Sequence, residues 1–156
     1  MSHQEIVLRD GTCARLSGAG PALVLLHGVG LNQSIWAEQV KAFAHSHQVI
    51  TYDLLGHGRS APAPENAGLG DWVHQLENLA EELKLVRFSL VGFSFGGMIA
   101  QAYATKHSDR IERLVLMSTV HNRSAEERAS VLVRLEMAQR EGPQAIVASE
   151  IGRAHV

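Results

Sequence analysis

Hydrophobic positions in the chain fall into short apolar runs that alternate with segments of helical spacing. The runs Ala22–Leu26 and Gln48–Tyr52 are rich in Val, Ile and Leu, which is typical of strands buried in a parallel sheet. The apolar run Ile111–Met117 predicts a further strand. Between them, apolar residues at helical spacing predict helices over about residues 34–45 and 71–83. Strands that alternate with helices predict a doubly wound α/β fold with a mostly parallel sheet.

Local signals set the expected boundaries of these elements. Two strands over residues 5–8 and 12–17, joined by Asp10-Gly11, predict an N-terminal hairpin. Ser34 is the expected N-cap of the first helix, and Asp71 is expected to cap or open the second.

The character of the chain changes at Ser124. Ser124-Ala125-Glu126-Glu127 has the form of a capping box and predicts a charged helix to about residue 141. Gly142-Pro143 ends that helix, and a new helix is expected to begin at Gln144.

Composition narrows the class of protein. The 156 residues are 46% hydrophobic and 19% charged, with a net charge of -2 and one cysteine. This length is enough for one domain with a sizeable core, and the charge implies no nucleic-acid partner. Cys13 excludes an internal disulfide, and no apolar run approaches the length of a membrane helix. We expect a cytoplasmic protein without a membrane segment.

The main candidate for a catalytic motif lies directly after residues 87–91. A short apolar strand leads into Gly92-Phe93-Ser94-Phe95-Gly96-Gly97, and a helical run follows over residues 98–105. Strand, Gly-x-Ser-x-Gly turn and helix together are the context of a nucleophile elbow. The turn forces the serine into a strained conformation, so Gly92 and Gly96 are expected to leave room for it, and Gly97 to let the helix pack closely.

With two further motifs, this segment resembles the α/β-hydrolase superfamily. These are His27-Gly28-Val29-Gly30 and Asp53-Leu54-Leu55-Gly56-His57-Gly58-Arg59-Ser60. The similarity extends from about residue 6 to residue 142 and is to the branch of small esterases, enol-lactone hydrolases and cofactor-free haloperoxidase-like enzymes. The resemblance implies an α/β-hydrolase-type sheet, a small-molecule ester or lactone substrate, and no cofactor. The nine histidines are scattered without paired ligand spacing, so no metal site is expected.

The resemblance also implies roles for three residues. Ser94 corresponds to the nucleophile, and the backbone N–H groups of Phe95 and Val29 correspond to the oxyanion donors. Phe93 and Phe95 are candidates for an apolar substrate pocket, whereas Trp36 and Met98 are better explained by core packing.

The remaining polar residues of the motifs are expected to be structural. His27 precedes the nucleophile and should fix the oxyanion loop. His57 should bond to its own loop backbone, and Asp53 and Arg59 should pair or cap within that loop.

No residue matches the family's catalytic acid or base, which follow the serine in chain order. Asp109 is the only Asp after Ser94, and His107, His121 and His155 fall outside the expected positions. We therefore expect an N-terminal portion of the fold, with residues 1–121 in the hydrolase core and 122–150 at the start of a helical cap. Leu114–Met117 would then lie on an exposed sheet edge, which favours aggregation.

The last six residues, 151–156, give a separate indication. Ile-Gly-Arg-Ala-His-Val is the translation of ATC GGA AGA GCA CAC GTC, the start of a common sequencing adapter. We interpret residues 151–156 as a sequencing-library artefact, and we expect the 156-residue chain by itself to lack triad-dependent turnover.

Three functions fit these features. The first is a serine hydrolase of a small ester or lactone acting through an acyl-enzyme. The second is a carbon–carbon bond hydrolase of the same fold, and the third is a non-catalytic ligand-binding protein of that fold. A serine at the elbow, where haloalkane dehalogenases and epoxide hydrolases have a carboxylate, argues against those two classes.

Overall fold

A computed structural model of the chain describes residues 3–142. The chain divides into two compact units, Met1–Val120 and His121–Val156. The elements of the first unit are β1 His3–Val7, β2 Cys13–Ser17, β3 Ala22–Leu26, α1 Ala37–Phe43, β4 Gln48–Tyr52, α2 Leu69–Glu82, β5 Phe88–Phe93, α3 Phe95–Lys106 and β6 Ile111–Met117. The alternation of strands and helices predicted from the sequence is confirmed.

The six strands form one sheet in the order β1-β2-β4-β3-β5-β6. β1, β2 and β4 pair antiparallel, whereas β4, β3, β5 and β6 pair parallel. The carboxyl ends of the four parallel strands therefore meet at one edge of the sheet, where ligands bind in open α/β folds. All three motifs of the sequence lie at carboxyl ends of these strands.

The core lies on both faces of the sheet because successive side chains of each strand point to opposite faces. Val24 and Leu26 of β3 belong to the larger cluster, which includes side chains of α2 and α3. Leu23 and Leu25 belong to a smaller cluster with Trp36. β3 is therefore covered on both sides, as its apolar sequence predicts.

The start of the first helix differs from the prediction. A 3-10 turn over Gln33–Trp36 precedes α1, and its N-cap is Asn32, whose side chain accepts the Ser34 N–H at 2.9 Å. The prediction of Ser34 as the N-cap is therefore wrong, because Asn32, two residues earlier, is the N-cap. In α2, the Asp71 carboxylate accepts the Gly68 N–H at 2.8 Å, which confirms that Asp71 helps to cap this helix.

β6 is the last strand in the sheet order of the described residues, and it is poorly covered. Leu114, Val115, Leu116 and Met117 are all exposed, as the sequence predicts for an unpaired edge. On the α1 side of the sheet, Val115 and Met117 line an apolar cavity of about 340 Å³, together with Leu23, Leu25 and Trp36.

The second unit contains α4, Ala125–Glu141. Ser124 Oγ accepts the Glu127 N–H at 3.2 Å, and the Glu127 carboxylate accepts the Ser124 N–H at 2.7 Å. The predicted capping box is thus confirmed, while the role of this unit as a cap stays a prediction. The helix expected from residue 144 and the segment 151–156 lie outside the described residues. Over residues 3–142, no helix has both the length and the apolar character of a membrane span, and the cytoplasmic location stays a prediction.

Candidate active site

The turn between β5 and α3 consists of one residue, Ser94, in a strained conformation. Its φ is 54° and its ψ is -115°, a region that residues other than glycine seldom occupy. Ser94 is half-buried, and α3 begins at the next residue. The strained turn predicted from Gly-x-Ser-x-Gly is confirmed.

Glycines surround this turn because no side chain would fit. A Cβ added at Gly92 would collide with the carbonyl oxygen of Gly96, and one at Gly96 would lie 2.5 Å from the carbonyl oxygen of Leu26. Both obstacles are backbone atoms, which cannot rotate away. The expected need for glycine at these two positions is confirmed, and it is what lets α3 start directly against the end of β3.

The loop that follows β3 contacts the same turn. A Cβ added at Gly28 would lie 3.1 Å from the Cβ of Ser94. The next residue, Val29, has an exposed fraction of 67%, and its N–H donates to no other group within residues 3–142. Phe95 is the first residue of α3, so its N–H has no acceptor within the helix. Two backbone donors without internal acceptors therefore flank the site.

His27 fixes the start of this loop as a neutral imidazole. Its Nε2 accepts the Leu54 N–H at 3.0 Å, so Nδ1 carries the proton and donates to the Gly28 carbonyl at 2.8 Å. Burial lowers the pKa of His27, which favours this neutral form. The predicted structural role is confirmed, and both ring nitrogens are occupied.

Asp53 holds the other end of the loop. Its carboxylate accepts the Gln33 N–H at 2.8 Å and the Gln33 side-chain amide at 3.1 Å. The Gln33 amide oxygen accepts the Thr51 hydroxyl at 3.1 Å. These groups are buried, and each bond satisfies a polar atom that would otherwise be costly to bury. The loop between β3 and α1 is thus fixed at both ends.

The loop after β4 has the internal contacts that the sequence predicts, and one ion pair that it does not. His57 Nδ1 lies 3.0 Å from the Leu55 carbonyl, so His57 bonds to its own loop backbone as predicted. Asp53 caps the loop by accepting the Arg59 N–H at 3.0 Å. The Arg59 guanidinium, however, binds Glu5 of β1 at 2.9 Å. Of the two expected arrangements, pairing or capping, the structure therefore confirms capping, and the ion pair of Arg59 is made with Glu5 instead.

The residues considered for an apolar substrate pocket lie in different surroundings. Trp36 is buried in the smaller core cluster, against which Phe93 also packs. Phe95 lies edge-to-face against Trp72 of α2, with ring centroids 5.0 Å apart. Core packing of Trp36 is confirmed, and a substrate-lining role for Phe93 and Phe95 stays a prediction.

No described side chain activates the Ser94 hydroxyl. Within residues 3–142 its Oγ makes no hydrogen bond to an imidazole or a carboxylate. His107 caps the far end of α3, about 20 Å from Ser94 at the usual rise per residue, and it binds Glu77 at 2.8 Å. In the same described range, no three His, Cys, Asp or Glu side chains form a group that could hold a metal ion.

The sequence did not predict two side chains that organise this edge of the sheet. Gln75 of α2 donates to Thr12 and to the Asp53 carbonyl and accepts the Leu55 N–H. Thr119, beyond β6, donates from Oγ1 to the Ser94 carbonyl at 2.8 Å. Neither residue belongs to a motif, and sequence separations of 20 or more residues leave no local signal.

Comparison with known proteins identifies the family. A sequence profile described as the alpha/beta hydrolase fold matches residues 21–142. The chain therefore belongs to the alpha/beta hydrolase family.

Relatives within the family are hydrolases of several kinds. The chain is 32% identical over 119 residues to (E)-2-((N-methylformamido)methylene)succinate hydrolase of Acinetobacter baylyi, covering 76% of this chain and 45% of that protein. It is 39% identical over 107 residues to 2-hydroxymuconate semialdehyde hydrolase of Pseudomonas sp. CF600, covering 66% and 38%. The chain thus spans less than half the length of these two relatives.

A solved structure with the same fold is the enol-lactonase from Burkholderia xenovorans LB400. The match has a TM-score of 0.80 and 30% sequence identity, and it covers 96% of this chain and 59% of the enol-lactonase chain.

Proposed function

We propose that the protein is a serine hydrolase that cleaves a small carboxylic ester or lactone, with Ser94 as the nucleophile. The observation that carries this proposal is the backbone of Ser94, held at φ 54° and ψ -115° where α3 begins. A strained residue at the start of a helix, next to free N–H groups, is the arrangement of a nucleophile elbow. The similarity to an enol-lactonase supports the substrate class.

In the proposed reaction, Ser94 Oγ attacks the carbonyl carbon and loses its proton to a general base. The carbonyl oxygen takes up the negative charge and is stabilised by the N–H groups of Phe95 and Val29, each such donor contributing about 3 kcal/mol. The base then protonates the leaving alkoxide, which leaves an acyl-enzyme. Water, activated by the same base, attacks the acyl carbon and releases the acid and Ser94.

We further propose that the base and the acid that orients it come from outside residues 3–142, because no imidazole or carboxylate there contacts Ser94. Because no residue of the sequence matches the family's catalytic acid or base, we also propose that the 156-residue chain alone shows no Ser94-dependent ester hydrolysis. Turnover by this chain that Ser94→Ala abolishes would refute this part of the proposal.

Carbon–carbon bond hydrolysis is the second candidate. It is favoured by the 39% identity to 2-hydroxymuconate semialdehyde hydrolase and the 36% identity to 2-hydroxy-6-oxo-2,4-heptadienoate hydrolase. The same elbow and N–H donors would serve an attack on a ketone carbonyl, so only the substrate distinguishes the two candidates.

The test compares three substrates with the full-length protein: p-nitrophenyl acetate, an enol-lactone and a 2-hydroxy-6-oxo-dienoate. We expect turnover of the ester or lactone and a loss of about 10⁴-fold or more in kcat for Ser94→Ala. Ser108→Ala, an exposed serine beyond α3, is the matched control and should be unchanged. Faster turnover of the dienoate favours the second candidate. Binding of the compounds without turnover of any would indicate a non-catalytic protein.

A further inference from the structure

The segment after β6 holds Ser94 at both of its backbone polar groups. The Ser94 N–H donates to the Met117 carbonyl at 2.9 Å, and the Thr119 hydroxyl donates to the Ser94 carbonyl at 2.8 Å. Ser118, which lies between these two contacts, has a positive φ of 46°. The residues on either side of Ser118 therefore both contact the backbone of Ser94.

The Thr119 contact is the one that a helix start does not itself provide. The Ser94 carbonyl also accepts the N–H groups of Gly97 at 3.0 Å and Met98 at 3.3 Å. Those two bonds belong to the first turn of α3 and form in any helix that starts there. The bond from Thr119 comes from the segment that follows β6, so it fixes the carbonyl relative to the sheet.

Thr119 is itself held in place by α3. A Cβ added at Gly97 would lie 2.5 Å from the Cβ of Thr119, so the threonine occupies the space that glycine leaves. Val120, the residue after Thr119, is also bound to α3: the Gln101 side-chain amide donates to the carbonyls of Val120 at 3.1 Å and Gly97 at 3.2 Å. The hydroxyl of Thr119 therefore has little freedom to move away from Ser94.

We propose that Thr119 is a positioning residue for the nucleophile: its hydroxyl holds the Ser94 carbonyl and thereby the direction of Ser94 Oγ. This inference rests on the proposed function of Ser94. A strained conformation persists only where its surroundings over-determine it, and Thr119 supplies the contact to this carbonyl from outside the helix. Thr119 touches neither substrate nor reacting atoms in this account, so its effect is on geometry.

The competing explanation is that Thr119 only fills the space beside Gly97. Thr119→Val separates the two, because it keeps the shape of the side chain and removes the donor. Thr119→Ser keeps the donor and loses one methyl group, so it is the matched control. A packing role makes the serine variant the worse of the two, whereas a positioning role makes it the better.

The experiment measures kcat and KM for these variants in the full-length protein. Loss of one neutral hydrogen bond should lower kcat of Thr119→Val about tenfold with KM unchanged, and Thr119→Ser should stay within about twofold of the wild type. Equal losses in the two variants, or a Thr119→Val enzyme as active as the wild type, would overturn the proposal. Should Thr119→Val fail to fold, Thr119→Ala and Thr119→Ser make the same comparison: recovery with serine supports the proposal and equality overturns it.

Hydrogen exchange at the Ser94 amide gives a readout independent of turnover. Thr119→Val should exchange this amide about tenfold faster than Thr119→Ser, and equal rates would overturn the proposal. Ser94→Ala is measured in parallel: unchanged activity in that variant refutes the role of Ser94 itself. An inactive Ser94→Ala together with a fully active Thr119→Val refutes only the role of Thr119.

Discussion

β3 and β6 flank β5 on opposite sides, and both send their C-terminal extensions to Ser94. Leu26 of β3 and Leu116 of β6 pair with the same residue, Gly92. Leu26 is fully buried, whereas Leu116 has an exposed fraction of 42%. The two neighbours of the elbow therefore have the same position relative to it and very different protection from water.

The loops that follow these strands differ in the same way. The loop after β3 is fixed by buried side chains at both ends, His27 at one and Gln33 with Asp53 at the other. The segment after β6 is fixed mainly through Thr119 and Gln101. Since local opening is easiest where few buried contacts resist it, we expect the β6 side of the elbow to open first.

The largest expected effect is the contrast between Leu26→Ala and Leu116→Ala. Truncating a buried leucine costs about 2–5 kcal/mol, so Leu26→Ala should lower the free energy of unfolding by that much. Leu116→Ala should cost less than about 1 kcal/mol, because part of its side chain is already in water. Urea denaturation of both variants checks this, and equal losses would contradict the difference in burial.

Gly96→Ala should be the next largest effect, since its Cβ would be forced against the Leu26 and His27 carbonyls. We expect a destabilisation of about 1–3 kcal/mol, together with loss of the elbow geometry. Gly70→Ala is the control, because no atom lies within 4 Å of an added Cβ there and alanine favours a helix. A melting temperature that is lower for Gly70→Ala than for Gly96→Ala would argue against the close contact of α3 with β3.

The exposed edge at β6 should make the 156-residue chain self-associate. Val115→Lys places a charge in the apolar cavity of this edge and should weaken association about tenfold, or about 1.4 kcal/mol. Val86→Lys is the control, because Val86 is more exposed than Val115 and lies outside every strand. Sedimentation velocity measures both. A wild-type chain that stays monomeric at high concentration would contradict the edge interpretation.

The smallest effect concerns the far end of α3, away from the elbow. A hydrogen bond from His107 and, to a smaller extent, one from His74 hold the pKa of Glu77 below its ordinary value of 4.5. A carboxylate with a lowered pKa stabilises the fold above that ordinary value, and the contribution is lost as the pH falls below it. Glu77→Gln should therefore cost at most about 1 kcal/mol at pH 7 and less at pH 3. Melting at both pH values checks this, and an effect that grows toward low pH would contradict it.

The features predicted most accurately from the sequence are those that local patterns determine. β3 and β4 begin and end where their apolar runs do, because burial on both faces selects such runs. β6 also has the bounds of its apolar run, Ile111–Met117, although its side chains are exposed. The strained turn at Ser94 was predictable because its glycines leave a signature two residues to either side. Ser124 and Glu127 were recognisable as a capping box because the two residues are only three positions apart.

Contacts between distant segments account for what the sequence did not predict. Ser34 and Asn32 are both good caps, and only the path of the loop selects Asn32. Arg59 pairs with Glu5 because strand pairing brings β1 near the loop after β4, which spacing does not encode. Thr119 reaches Ser94 across 25 positions, and its residue type alone gives no indication of this.

The most direct test of the central claim is covalent labelling of the full-length protein with a fluorophosphonate, followed by mass spectrometry of the peptides. An activated serine forms a stable adduct with this reagent because its oxygen displaces fluoride at phosphorus. We predict one adduct, on Ser94, that is absent from Ser94→Ala and retained in Ser108→Ala. An adduct that persists in Ser94→Ala, or substrate turnover without any adduct, would contradict the claim that Ser94 is the nucleophile.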